Sequence, residues 1–237
     1  MTEVSAQAAC AHLSAGLALR AIQQARALAQ NPPSMECLRG KGGNSIVAMG
    51  RRVKRLRRDK AIVHALVAGS MKSPRIEIVR RAACRDAEVE HRGRAFAVDA
   101  LHYDATVLYP RERREAEFVL SLTRHAVERF IERGGAGDPR DDLLGKLDAE
   151  VLRVLLGDPF VRSLRLDDCD LSFGVPAPHG LWIAGGAVTV LREKVIAGAT
   201  FATFLGEREM GDDQRAYVAV AEAEGIAAAE ARFPSLF

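Results

Sequence analysis

The chain has 237 residues, 48% of them apolar and 27% charged, enough for a buried core in one large or two small domains. That composition excludes a disordered chain, a fibre and a disulfide-bonded miniprotein. The net charge is only +3, yet nine Lys/Arg and a single acid, Asp59, lie between Arg39 and Lys60, a local charge of +8 that leaves −5 for the rest.

Residues 5–30 are rich in Ala, Leu and Gln, with Leu13, Leu17, Ile22 and Leu28 near helical spacing. They predict a helix that Asn31-Pro32-Pro33-Ser34 ends. Residues 39–45 are glycine-rich and basic. They lack the spacing of a Walker loop and follow no strand, so they read as a linker. Residues 46–68 predict a second helix carrying the basic run, broken at Gly69-Ser70 and Ser73-Pro74.

Arg75 to Val79 alternates as a half-buried strand does, and 88–100 reads as a hairpin turning at Arg92-Gly93. Residues 106–109 form a short strand stopped by Pro110. Residues 112–133 read as helical, with a short strand over 117–122 as the alternative. Gly134 to Pro139 is a stop, and 140–156 is a further helix. Strands are expected over 160–166, 170–175, 180–184, 187–192 and 194–205, the last two joined at Arg192-Glu193-Lys194. An Ala/Glu-rich helix over 212–232 closes the chain. Without βαβ alternation this order predicts an α+β fold, an antiparallel sheet packed against several helices. The expected division is a helical, basic N-terminal region, 1–70, and an α+β core, 71–237.

Cys10, Cys37, Cys84 and Cys169 form no CxxC pair and read as free thiols of a reducing cytosol. Val4 to Leu19 is uncharged but has no basic segment before it, so it reads as a helix rather than a signal peptide. Leu171 to Leu191 is uncharged too, but Pro176, Pro178 and four glycines argue against a membrane helix. The expectation is a cytoplasmic protein without a membrane span.

Thr123-Arg124-His125-Ala126-Val127-Glu128-Arg129-Phe130-Ile131-Glu132-Arg133 carries the chemistry. On a helix, at about 100° per residue, Leu122, Ala126, Val127, Phe130 and Ile131 share one side. His125, Arg129 and Glu132 gather on the other, and Arg133 lies about 20° from Leu122. An imidazole can move a proton near neutral pH, and a guanidinium can stabilise a phosphate in its transition state. The plain alternative is a solvated face whose acids and arginines pair at i, i+3 and i+4.

This segment resembles the Ser/Thr-x-His-Ala-x-x-Arg-aromatic-x-x-Arg helix of toxin-like proteins in the RelE/colicin-type ribonuclease superfamily and of related mobile-element proteins. The resemblance covers residues 118–206. It implies metal-independent cleavage of RNA with the 2′-hydroxyl as nucleophile, no cofactor, and a cognate antitoxin as partner. His125 would act as general acid or base, Arg129 and Arg133 would hold the scissile phosphate, and a strand threonine would hydrogen-bond it. In a regular strand Thr200 and Thr203 face opposite sides. Thr203 shares its side with Ala199, Phe201 and Leu205, so Thr200 is the expected site residue.

Arg51, Arg52, Lys54, Arg55, Arg57 and Arg58 supply the other reading, a nucleic-acid-binding or regulatory protein that grips RNA or DNA phosphates without cleaving them. No aromatic side chain lies nearby to stack on single-stranded bases. A third reading is an interaction protein of effector or immunity type, in which the His125 helix is scaffold. His102 and Asp104 share one strand face, but with no third ligand at workable spacing no metal site is expected. His179, in a Gly/Pro loop beside Trp182, is a candidate second imidazole.

Overall fold

The computed structural model describes residues 3–31, 33, 35, 38, 45–82, 88–91, 94–97, 99–110, 114–191 and 194–237. The helices are α1 (Glu3–Leu28), α2 (Ile46–Leu56), α3 (Arg124–Glu132), α4 (Leu143–Gly157), α5 (Pro159–Ser163), α6 (Asp212–Glu224) and α7 (Ile226–Arg232), with a 3-10 turn at Leu166–Asp170. The strands are β1 (Ile62–Gly69), β2 (Pro74–Ala82), β3 (Glu88–His91), β4 (Arg94–Ala97), β5 (Ala100–Tyr109), β6 (Arg114–Thr123), β7 (Ser172–Ala177), β8 (Gly180–Leu191) and β9 (Lys194–Gly206).

All nine strands join one sheet in the order β1-β2-β5-β6-β9-β8-β3-β4, with β7 also on β8. Every pairing is antiparallel except β6 with β9, where Ser121 stands opposite Thr200. Only two residues separate β4 from β5, yet five strand intervals lie between them in the sheet. Five intervals of a flat sheet measure about 24 Å, and three peptide steps reach about 11 Å. The sheet therefore coils to bring its β4 edge back toward β5. This is the α+β fold that the element order predicts.

One face carries the main core. Phe130 of α3 stacks on Trp182, with ring centroids 4.9 Å apart, and Trp182 stacks on Phe201 at 5.3 Å. The Trp182 indole N–H donates to Glu150 of α4 at 3.1 Å. Ala18, Ile22 and Ala25 of α1 enter the same cluster. The opposite face is covered at its ends. Met49, Val53 and Leu56 of α2 pack on Ala65, Ile76, Ile78 and Leu108. At the β7 end, Tyr217 of α6 donates to the Gly174 carbonyl at 2.8 Å, and a Cβ on Gly174 would meet the Tyr217 and Phe237 rings.

Several sequence expectations are corrected. The helix expected over 46–68 ends at Leu56, and Ile62–Gly69 is a strand paired with β2. The Asp59 carboxylate takes the Ala61 amide at 2.8 Å and turns the chain there, after which β-branched Ile62, Val63 and Val67 favour the extended form. Of the described part of residues 1–70, α1 packs into the main core and β1 joins the sheet. Residues 114–123 are strand, and the helix begins only at Arg124. Residues 159–163 are helix, because Pro159 suits a first turn and Asp158 caps it through the Phe160 amide at 2.7 Å. The C-terminal helix is two, split at Gly225, whose φ of 93° lies where only glycine is at ease. The turns at Arg92-Gly93 and Arg192-Glu193, and linker residues 39–44, lie outside the described residues.

Candidate nucleic-acid interface

Ser45 starts α2 by accepting the Ala48 amide on its hydroxyl at 3.2 Å. With Met49, Val53 and Leu56 facing the sheet, the helical period turns Val47, Gly50, Arg51, Lys54 and Arg55 to solvent, and Arg58 continues that face. The charges from Arg51 to Arg58 span about 10 Å of helix axis. Arg57 is exposed too, with its Nε donating to the Ala65 carbonyl at 2.6 Å. Arg52 is half-buried. Burial, and then the Arg57 charge, lower the pKa of His64 on β1.

Many arginines elsewhere are neutralised, though Arg20, Arg165 and Arg208 are exposed and have no ion pair among the described residues. Arg26 pairs with Asp99, Arg80 with Asp104, Arg124 with Glu128, Arg153 with Glu150 and Arg232 with Glu224. Among the described residues no ion pair engages Arg51, Lys54, Arg55, Arg57 or Arg58. Charge density without counter-charge distinguishes this surface.

The α3 motif has a different character. Thr123 is its N-cap, accepting the Ala126 amide at 3.0 Å and donating to the Ala202 carbonyl at 3.2 Å. The motif threonine is thus explained by helix initiation. His125 is exposed on the first turn. Arg129 donates to Glu132 at 2.8 Å, and Glu132 takes the Ser14 hydroxyl of α1 on its other oxygen at 2.7 Å. Arg133 bonds the Phe204 carbonyl and pairs with Glu209 at 2.7 Å. Both arginines expected to hold phosphate are engaged by acids.

Thr200 does not join them. Its neighbour Phe201 stacks on Trp182 beneath α3, so alternation sends Thr200 to the opposite face. There it lies buried in a row with Ser121 and His102. Thr203 faces that side as well. A bulge at Ala202 places Phe201 opposite Ala184 and Thr203 opposite Ile183, so the regular-strand argument separating the two threonines fails.

The structure does bring Arg133 together with His179. Both line an open cleft of about 480 Å³ at the C-terminal end of α3, with Glu132, Arg208 and Glu209. His102 and Asp104 do share a strand face, but the His102 Nδ1 lies 2.8 Å from the Ser121 hydroxyl and Asp104 accepts two bonds from Arg80, at 3.0 and 2.7 Å.

One buried constellation escaped the sequence reading. Asp148 of α4 accepts both arms of Arg81, and the Tyr103 hydroxyl at 2.9 Å. Arg81 also bonds the Lys60 carbonyl. Burial raises the Asp148 pKa against the opposing pull of Arg81, and burial, then the Asp148 carboxylate, raises that of Tyr103. Its members lie 45 and 67 residues apart in sequence, so no local pattern marks them.

No family model, curated protein or solved structure matches the chain.

Proposed function

We propose that the protein binds nucleic acid by its phosphate backbone through the outer face of α2. The supporting observation is the exposed group Arg51, Lys54, Arg55 and Arg58, unpaired in a protein whose other arginines are largely paired. Unpaired cations are available to displace condensed counterions from a polyanion. Arginine and lysine at i, i+3, i+4 and i+7 follow a backbone without reading bases, and the face has no aromatic side chain for stacking. A duplex is therefore the preferred partner over a single strand.

The test is fluorescence anisotropy with labelled duplex and single-stranded probes, wild type beside Arg51→Ala/Lys54→Ala/Arg55→Ala. Affinity for duplex lost in the variant, with melting temperature unchanged, supports the reading. Equal affinity of both proteins opposes it.

A second reading, metal-independent RNA cleavage, is favoured by the cleft that gathers Arg133 and His179. In it an imidazole takes the proton of the 2′-hydroxyl as that oxygen attacks phosphorus. The P–O5′ bond breaks, a 2′,3′-cyclic phosphate forms, and the leaving 5′-oxygen is protonated. His179 is the imidazole in that cleft, its imidazolium returning the proton to the 5′-oxygen, and Arg133 the cation; His125, on the first turn of α3, is not among the lining residues. Cleavage assays on His125→Ala and His179→Ala test it.

A further inference from the structure

β1 ends the sheet, and among the described residues no strand pairs with its outer edge. Its residues, Ile62 to Gly69, include no Lys, Arg, Asp, Glu or Pro. Edge strands usually carry such a residue, which keeps other chains from pairing with them. The register shows which backbone groups face outward. Gly69 stands opposite Pro74, which has no N–H to give, so that pair is of the kind without hydrogen bonds. Ala65 and Val67, opposite Ile78 and Ile76, share its parity. Their N–H and C=O groups therefore point away from β2. Accordingly the Ala65 carbonyl is free to take the Nε of Arg57, the C-cap of α2, at 2.6 Å. The side chains of Ala65 and Val67 pack under α2, while Leu66, 42% exposed, turns to the other face.

We propose that two copies of the chain pair β1 to β1, antiparallel, when both are bound to one duplex. The inference rests on the α2 reading above and adds to it how the copies are arranged. Two antiparallel strands of one sheet are related by a two-fold axis normal to the sheet, so both α2 helices lie on the same side of the joined sheet. Their cationic faces then meet a single polyanion together. The duplex is needed for two reasons. The edge is about 26 Å long and about 10 Å thick, a footprint of about 260 Å² per copy. That is well below the about 800 Å² per partner of a stable interface. Each copy also brings Arg51, Lys54, Arg55 and Arg58 unpaired to that side, charges that repel until phosphates neutralise them. A duplex supplies both the counter-charge and the high local concentration at which a weak contact forms. A phosphate that draws Arg57 from the Ala65 carbonyl also frees that acceptor for the second strand.

The experiment is sedimentation velocity of the full chain with a duplex of about two turns, roughly 20 bp, wild type beside Leu66→Lys and Val67→Pro. Leu66→Lys charges the exposed side chain of the edge and removes no phosphate contact. Val67→Pro deletes an outward N–H and leaves the β2 ladder its hydrogen bonds. The expected result for wild type is one copy in free solution and a cooperative pair on the duplex. Both variants should bind as independent copies, with apparent affinity lowered about tenfold or more. If Val67→Pro melts early, Leu66→Lys alone decides. Duplex binding by wild type without cooperativity, or variants that pair as wild type does, would overturn the proposal and leave the α2 reading in place. A wild type that binds no duplex would overturn both.

Discussion

Thr200 and Phe201, adjacent on β9, serve opposite faces of the sheet: Phe201 stacks on Trp182 beneath α3, and Thr200 is buried on the far side beside Ser121. That alternation separates the threonine from His125, Arg129 and Arg133.

The two imidazoles separate the two readings. His125 is exposed, and its side chain makes no hydrogen bond among the described residues, so His125→Ala should change stability by less than about 0.5 kcal/mol. If the cleft beside Arg133 cuts RNA, His179→Ala should slow cleavage by about a hundredfold or more and leave duplex binding untouched. Product analysis for a 2′,3′-cyclic phosphate, in wild type and both variants, checks this. Undiminished cleavage in both variants would remove the imidazoles from the mechanism.

Asp148 should be the costliest polar residue to remove. Asp148→Ala leaves the Arg81 guanidinium and the Tyr103 hydroxyl buried without their acceptor, a loss of about 3–5 kcal/mol. Urea unfolding measures it. A loss under about 1 kcal/mol would mean that the three residues are not a unit, and restoration by Asp148→Asn would show that a neutral acceptor suffices.

Acid should loosen the fold through His102. Its pKa is lowered to about 4 in the folded chain by burial, then by Arg26, against about 6.5 unfolded. The unfolded state therefore binds the extra proton. This stabilisation is fully present above pH 6.5 and is lost as pH falls toward 4, about 3 kcal/mol in all. Asp148 and Glu230, whose pKa values are raised by burial, act in the opposite sense at the acid end. Comparing melting temperature against pH for wild type and His102→Gln isolates the imidazole: the variant should show a flatter profile between pH 6.5 and 4. Parallel profiles would contradict the account.

What was legible in the sequence was local. The α+β class, α1, the β2 strand and the stop after α3 follow from periodicity and from glycine and proline. So does the cationic face of α2, since charge density needs no partner to be seen. Glu115, Glu117 and their neighbours suit a helix or a strand equally, and pairing with β5 decides for the strand. The bulge at Ala202 has no residue signature, yet it determines where Thr203 points. The arginines of the α3 motif looked available because their acids, Glu132 and Glu209, are assigned only once the helix and the β9 end are in place.

The basic face of α2 is tested most directly by the salt dependence of duplex binding. Each phosphate contact contributes a slope of about −0.9 in log K against log salt. Arg51→Ala/Lys54→Ala/Arg55→Ala/Arg58→Ala, folded as the wild type, should reduce the slope by about 3–4 and the affinity with it. An unchanged slope and affinity would contradict it, and would place any nucleic-acid contact elsewhere on the protein.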